Sequence, residues 1–172
     1  MNSINELIGT DYGLFNFYGA DDAEYVIVAM GSVCQAIRET VDELTKEGRK
    51  VGLIEVHLYR PFSAEHLLKA MPKSVKKIAV LDRTKEKGAE GQPLYLDVKS
   101  CYYDQENKPE IYDGVYGLAG KDTVPGDIKA VYDNLENAET KDEFTLSITD
   151  DVTNSSLAVS YTHLTLPTNR EV

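Results

Sequence analysis

The chain has 172 residues, of which 42% are hydrophobic, and a formal net charge of −11. That is enough chain for one domain with a proper core, and so acidic a balance argues against nucleic acid and anionic membrane surfaces, which it would repel. No apolar run approaches a membrane span and no basic-then-apolar leader follows Met1, so a cytoplasmic protein is expected.

Residues 25–30 form a continuous apolar run and predict a strand buried on both faces. Gly31-Ser32 ends it, and Ser32 with Gln35 has the spacing of a capping box. Val33, Ile37, Val41 and Leu44 then supply one helical stripe, with Arg38, Glu39, Asp42, Glu43 and Lys46 on the solvated side. Gly48 suits the helix C-terminus. A second strand is predicted over 51–59, stopping at Arg60-Pro61-Phe62 because proline cannot donate to a ladder. Ser63 is the expected cap of a short helix buried through Leu67, Leu68 and Met71 and ended by Pro72. Residues 78–81 give a third strand, running into the charged turn from Asp82 to Lys87.

Gly88, Gly91 and Pro93 mark a loop, after which Leu94, Val98 and Cys101 suit a helix. Residues 111–116 predict a fourth strand. Thr123 is the expected cap of a last helix, with Pro125 in its first turn and Ile128, Val131, Tyr132 and Leu135 on its apolar face. Residues 136–143 are charged, and 144–148 alternate like an extended segment. Alternating strands and helices imply an α/β fold: an open, mostly parallel sheet with helices on both faces. Ligands of such sheets prefer the carboxyl ends of the strands, which here carry Gly31-Ser32, Arg60-Pro61-Phe62 and Asp82-Arg83-Thr84.

Those ends carry the candidate contacts: Gly31, Ser32, Arg60, Asp82 and Arg83. Helix amides behind Gly31-Ser32 could seat an anion, although the turn alone explains the glycine and no GxGxxG spacing is present. Arg60 and Arg83 could bind a carboxylate or phosphate, or Asp82 could hold one of them in a structural pair. Cys34 sits near a helix start, where a thiol pKa can fall, but a buried filler is the simpler reading. Two cysteines without a CxxC leave no iron–sulfur or structural zinc motif. His57, His66 and Asp150-Asp151 lack motif partners, so no catalytic, cofactor-binding or metal-ligating residue is assigned.

The tail is of another kind. Residues 159–164 back-translate to GTC TCT TAT ACA CAT CTG, resembling the mosaic end of a transposase sequencing adapter. Residues 158–172, with His163, are therefore expected to be adapter-derived, and the natural sequence to stop near Leu157.

Several ordered motifs carry a family resemblance: Tyr18-Gly19-Ala20, Val28-Ala29-Met30-Gly31-Ser32, Leu58-Tyr59-Arg60-Pro61-Phe62-Ser63, residues 78–86 and Pro93-Leu94-Tyr95-Leu96-Asp97-Val98. With Tyr116-Gly117-Leu118, residues 129–135 and Asp150-Asp151-Val152-Thr153, they closely resemble pyruvate:ferredoxin (or flavodoxin) oxidoreductases over residues 1–157. The resembling part is the domain after the N-terminal thiamine-pyrimidine domain. The resemblance implies a transketolase C-terminal-like domain at 21–140, an interdomain linker at 1–20 and a connection toward a next domain at 141–157. It implies a parent that uses thiamine diphosphate, Mg2+, [4Fe-4S] clusters and coenzyme A, none of them held by this segment. The implied partners are the parent's remaining domains, ferredoxin or flavodoxin, and a second copy in a homodimer. The segment would brace the enzyme rather than catalyse, with Arg60, Asp82 and Arg83 as contact surface, so that charge reversal at Arg60 impairs assembly. A related 2-oxoacid:ferredoxin oxidoreductase is one alternative. A stand-alone flavodoxin-like module holding a phosphate or nucleotide at Gly31-Ser32 is the other.

Overall fold

The computed structural model describes residues 2–9 and 12–159. A short helix α1 (Asn2–Ile8) precedes strands β1 (Phe15–Gly19) and β2 (Tyr25–Ala29), helix α2 (Val33–Lys46) and strand β3 (Val51–Val56). Then come α3 (Ala64–Ala70), β4 (Lys77–Asp82), α4 (Pro93–Cys101), β5 (Glu110–Val115), α5 (Pro125–Glu136) and β6 (Glu143–Thr145). The strands form one sheet in the order β1-β3-β2-β4-β5-β6. All pair in parallel except β1, which lies antiparallel on β3. This is the expected open α/β sheet.

The continuous apolar run of β2 follows from its central place. Val26 and Val28 face the core under α3 and α4, whereas Ile27 and Ala29 face the core under α2 and α5. All four are fully buried, so alternation would have left a polar group in one core. The predicted stripes hold: Ile37, Val41 and Leu44 of α2 and Ile128, Val131, Tyr132 and Leu135 of α5 interlock in that second core. Helix α2 stops at Gly48 as predicted, with Gly48 N–H donating to Thr45 O and Arg49 N–H to Leu44 O.

The caps differ from prediction. Ser32 already has helical dihedrals (φ −64°, ψ −25°) and makes no side-chain cap bond; the box of Ser32 and Gln35 needs an extended cap residue. Bonds from Cys34 N–H to Gly31 O and Gln35 N–H to Ser32 O close that turn instead. Ser63 precedes α3 in extended conformation without a cap bond; its hydroxyl lies 2.8 Å from His66 Nδ1. At α5 the cap position falls on Val124 rather than Thr123, and the Asp127 carboxylate accepts the Val124 N–H at 2.9 Å.

Strand boundaries also shift. β3 ends at Val56 rather than 59, because its last parallel partner in β2 is Ala29, opposite Glu55. The following Arg60–Pro61 peptide is cis. The stretch expected as a linker, 1–20, supplies β1, and the stretch expected as a connection, 141–157, supplies β6 and a bridge from Thr145 to Ser156. Each carries apolar residues that the sheet buries, Phe15 at one edge and Phe144, Leu146 and Leu157 at the other. Apart from Ala158 and Val159, the segment read as adapter-derived lies outside the described residues.

Gly19 pairs with Gly52 where β1 meets β3. A Cβ on Gly19 would come 2.5 Å from Val51 O and 2.6 Å from Gly52 Cα, at φ +137°. Backbone cannot yield there as a side-chain tip can. Gly19→Ala is therefore expected to destabilise the fold by about 2 kcal/mol, read as a lower urea midpoint. An unchanged midpoint would mean that β1 is not docked in this register.

Candidate functional site: the carboxyl ends of the strands

Between β2 and β4 the connections leave in opposite directions, to β3 on one side and β5 on the other. This is the switch point at which open α/β sheets tend to hold ligands. Two clefts meet there. One, of about 410 Å³, is bordered by Met30, Tyr59, Asp82, Arg83, Pro93 and Tyr116. The other, of about 280 Å³, lies toward α2 and α5 and is bordered by Ser32, Arg83, Tyr116, Gly117, Lys121 and Thr123. Arg83 and Tyr116 belong to both.

Asp82 was expected to pair with an arginine, and it does not. Asp82 is 6% exposed, and its carboxylate accepts the N–H groups of Leu94 (3.2 Å) and Tyr95 (3.1 Å) at the start of α4. The neighbouring strand repeats the device: Asp113, 3% exposed, accepts the Gln92 N–H at 3.1 Å. Gln92 in turn accepts the Glu86 N–H through its side-chain oxygen at 2.7 Å. Asp82 at the end of β4 thus holds the first turn of α4, and Asp113 within β5 braces the cap residue and loop before it. The reason lies in the local sequence. Pro93 has no N–H to offer, and Gln92 at the cap position makes no side-chain cap bond, so acceptors must come from elsewhere in the fold. Burial raises the pKa of Asp82 despite the two amides that favour its charged form. Burial chiefly, with the Asp82 charge adding, pushes Asp113 up to about 6, and its Oδ1 is buried without a hydrogen-bond partner among the described residues.

Arg60 is engaged within the domain. Its guanidinium meets Asp97 at 2.8 Å and stacks 3.9 Å over the Tyr59 ring. It borders neither cleft, so the expected approach of Arg60 to Arg83 is not how the structure uses it. Arg83 differs: among the described residues it forms no ion pair or side-chain hydrogen bond. It lies across Gly117, where an added Cβ would sit 3.0 Å from Arg83 Nε. The left-handed φ of +65° at Gly117 and the absence of its side chain together make that seat.

Sequence reading also missed a charged cluster beside β1. Arg38, placed on the solvated side of α2, forms a two-point pair with buried Glu55 at 2.7 and 2.5 Å and stacks 4.5 Å from the Tyr18 ring centre. The signal available was Glu55 itself, an acid in the middle of a predicted buried strand that requires a cation.

The two thiols do not fit an iron–sulfur cluster. Cys34 faces the core under α2 and α5, whereas Cys101 packs against the opposite one. Burial pushes the Cys34 thiol up to about 12 and raises that of Cys101 as well, away from the thiolate that ligation needs. The lowered Cys34 pKa considered from sequence is thus reversed. Among the described residues no three His, Cys, Asp or Glu side chains group as a metal site, and no helix is long and apolar enough to cross a membrane.

Fold and strand ends together define a doubly wound α/β domain with a braced loop and an arginine-bearing cleft at its switch point. A family model described as pyruvate:ferredoxin oxidoreductase core domain II matches residues 23–128. The chain belongs to that family. It is 54% identical over 160 residues to the pyruvate-flavodoxin oxidoreductase of Enterobacter agglomerans, covering 93% of this chain and 14% of the relative. It is 55% identical over 157 residues to that of Klebsiella pneumoniae (91% and 13%). Identity to the pyruvate:ferredoxin oxidoreductase of Moorella thermoacetica is 52% over 159 residues (92% and 14%). The chain thus spans about a seventh of the length of these relatives. A solved 2-oxoglutarate:ferredoxin oxidoreductase from Magnetococcus marinus superimposes with a TM-score of 0.49 at 22% identity, over 72% of this chain and 20% of that one.

Proposed function

We propose that this chain is a structural and assembly domain of a thiamine-diphosphate-dependent pyruvate:ferredoxin oxidoreductase, inactive by itself. The parent would convert pyruvate, coenzyme A and oxidised ferredoxin to acetyl-coenzyme A, CO2 and reduced ferredoxin. The observation that carries the reading is identity above 50% across nine-tenths of the chain to relatives seven times its length. The names of those relatives support ferredoxin or flavodoxin as the acceptor. In this reading thiamine diphosphate, Mg2+ and the [4Fe-4S] clusters are held by other parts of the parent, which acts as a cytoplasmic homodimer. The position of β1 and β6 in the sheet supports a domain running from about residue 12 to 157, wider than 21–140.

The test is a chimera in which residues 1–157 replace the matching segment of the Klebsiella pneumoniae enzyme. Assembly and pyruvate-dependent reduction of flavodoxin are expected, whereas the isolated chain supports none. A chimera that fails to assemble, although the isolated chain melts cooperatively, overturns the reading.

A further inference from the structure

We infer that the cleft of Arg83, Lys121 and Ser32 at the switch point is an oxyanion site, built for a carboxylate or phosphate group. This goes beyond the bracing role and stands or falls separately from it. Four independent observations converge on one place.

The first is charge. In a chain of net charge −11, Arg83 and Lys121 border the same cleft, and neither has an ion-pair partner among the described residues. The contrast is sharpest among the arginines, since each of the others described is paired: Arg38 with Glu55, Arg49 with Asp133 and Glu136, and Arg60 with Asp97. Asp122 also borders the cleft and offsets one of the two cations, so a net positive charge remains.

The second is topology. The cleft opens where connections from β2 and β4 diverge, which leaves room above the sheet without disturbing the core. The third is shape. Gly117 seats the arginine stem, and a planar guanidinium fixed by its stem can present two parallel donors to one oxyanion. The volume of about 280 Å³ suits a small polar group rather than a dinucleotide. The fourth is donors. The Ser32 hydroxyl makes no cap bond, so it is available at the mouth of α2, whose end also favours negative charge.

The test titrates the isotopically labelled full chain with inorganic phosphate and, separately, with acetate, at ionic strength held constant by sodium chloride. Saturable amide shifts are expected at Gly31, Ser32, Val33 and Gly117. Arg83→Gln should weaken binding at least tenfold, Lys121→Gln about threefold, and Arg83→Lys should fall between them, because it keeps charge but loses the two-point geometry. Saturation with phosphate alone assigns a phosphoryl group, and saturation with acetate alone a carboxylate. Shifts that merely track salt, or an Arg83→Gln chain that melts and binds like the parent sequence, overturn the site.

Discussion

Replacing Asp82 with alanine is expected to lower the free energy of unfolding by about 3 kcal/mol, the largest effect of any single change to the strand ends. The substitution removes an acceptor from two amides, Leu94 N–H and Tyr95 N–H. Both belong to the first turn of α4, and the Leu94 and Tyr95 side chains are buried. Each amide left without a partner in such a place costs about 1–3 kcal/mol. Burial of Asp82 itself works the other way, since desolvation opposes its charge, which keeps the expected loss nearer the lower sum. Asp82→Asn should lose less, because its carbonyl oxygen can still accept one bond. The check is urea unfolding with an unchanged m-value, together with hydrogen exchange at residues 94 and 95. A loss below about 0.5 kcal/mol would mean that α4 does not depend on this clamp. Because the same clamp ends the loop that begins at Arg83, Asp82→Ala should also blunt phosphate or acetate binding without removing the arginine.

What could be read in the sequence was whatever depends on near neighbours along the chain. The stripes of α2 and α5 and the apolar run of β2 repeat at fixed spacing, and burial follows spacing directly. Gly48 is legible for the same reason, as a local turn with its own hydrogen bonds. The strand-end clamp was not legible, because Asp82 and Asp113 reach α4 across 12 and 21 residues of separation. In sequence Asp82 stands beside Arg83, and adjacency suggested an ion pair that the fold does not make: Asp82, the last residue of β4, gives its carboxylate to the amides of α4, whereas Arg83, just past the strand, lies against Gly117. The hint that existed was negative, a helix opening Gln92-Pro93 with neither serine nor aspartate to cap it. β1 was passed over because its five residues carry little period; its partner β3 lies more than thirty residues away, and pairing at that range leaves no local mark. The arginine-bearing cleft was half visible: Ser32 and Arg83 were both singled out, whereas Lys121 and Gly117 join them only through the return of β5 beside β4.

The second expectation concerns pH. Asp113 sits buried within β5, with one backbone amide bond from Gln92 and one oxygen left without a partner among the described residues. Its pKa rises from 3.8 to about 6, so the folded state holds the proton more tightly than the unfolded chain does. A raised acid contributes stability that is fully present below about pH 4 and is lost as pH rises through 6. Two pH units at about 1.36 kcal/mol each set an upper bound of roughly 3 kcal/mol. Asp22, Glu24 and Asp151 behave oppositely, since partners lower their pKa and their contribution is lost as pH falls. They are present in both proteins when Asp113→Asn is compared with the unchanged chain, so they cancel in the difference. Asp113→Asn keeps a carbonyl oxygen for the Gln92 N–H and removes the titrating charge. It should therefore be more stable at pH 8, by at most roughly 3 kcal/mol, and nearly equal at about pH 3, with the difference growing around pH 4–6. A difference that stays flat across that window would show that Asp113 titrates like an ordinary surface acid, and would move the cost of this strand end away from its buried charge.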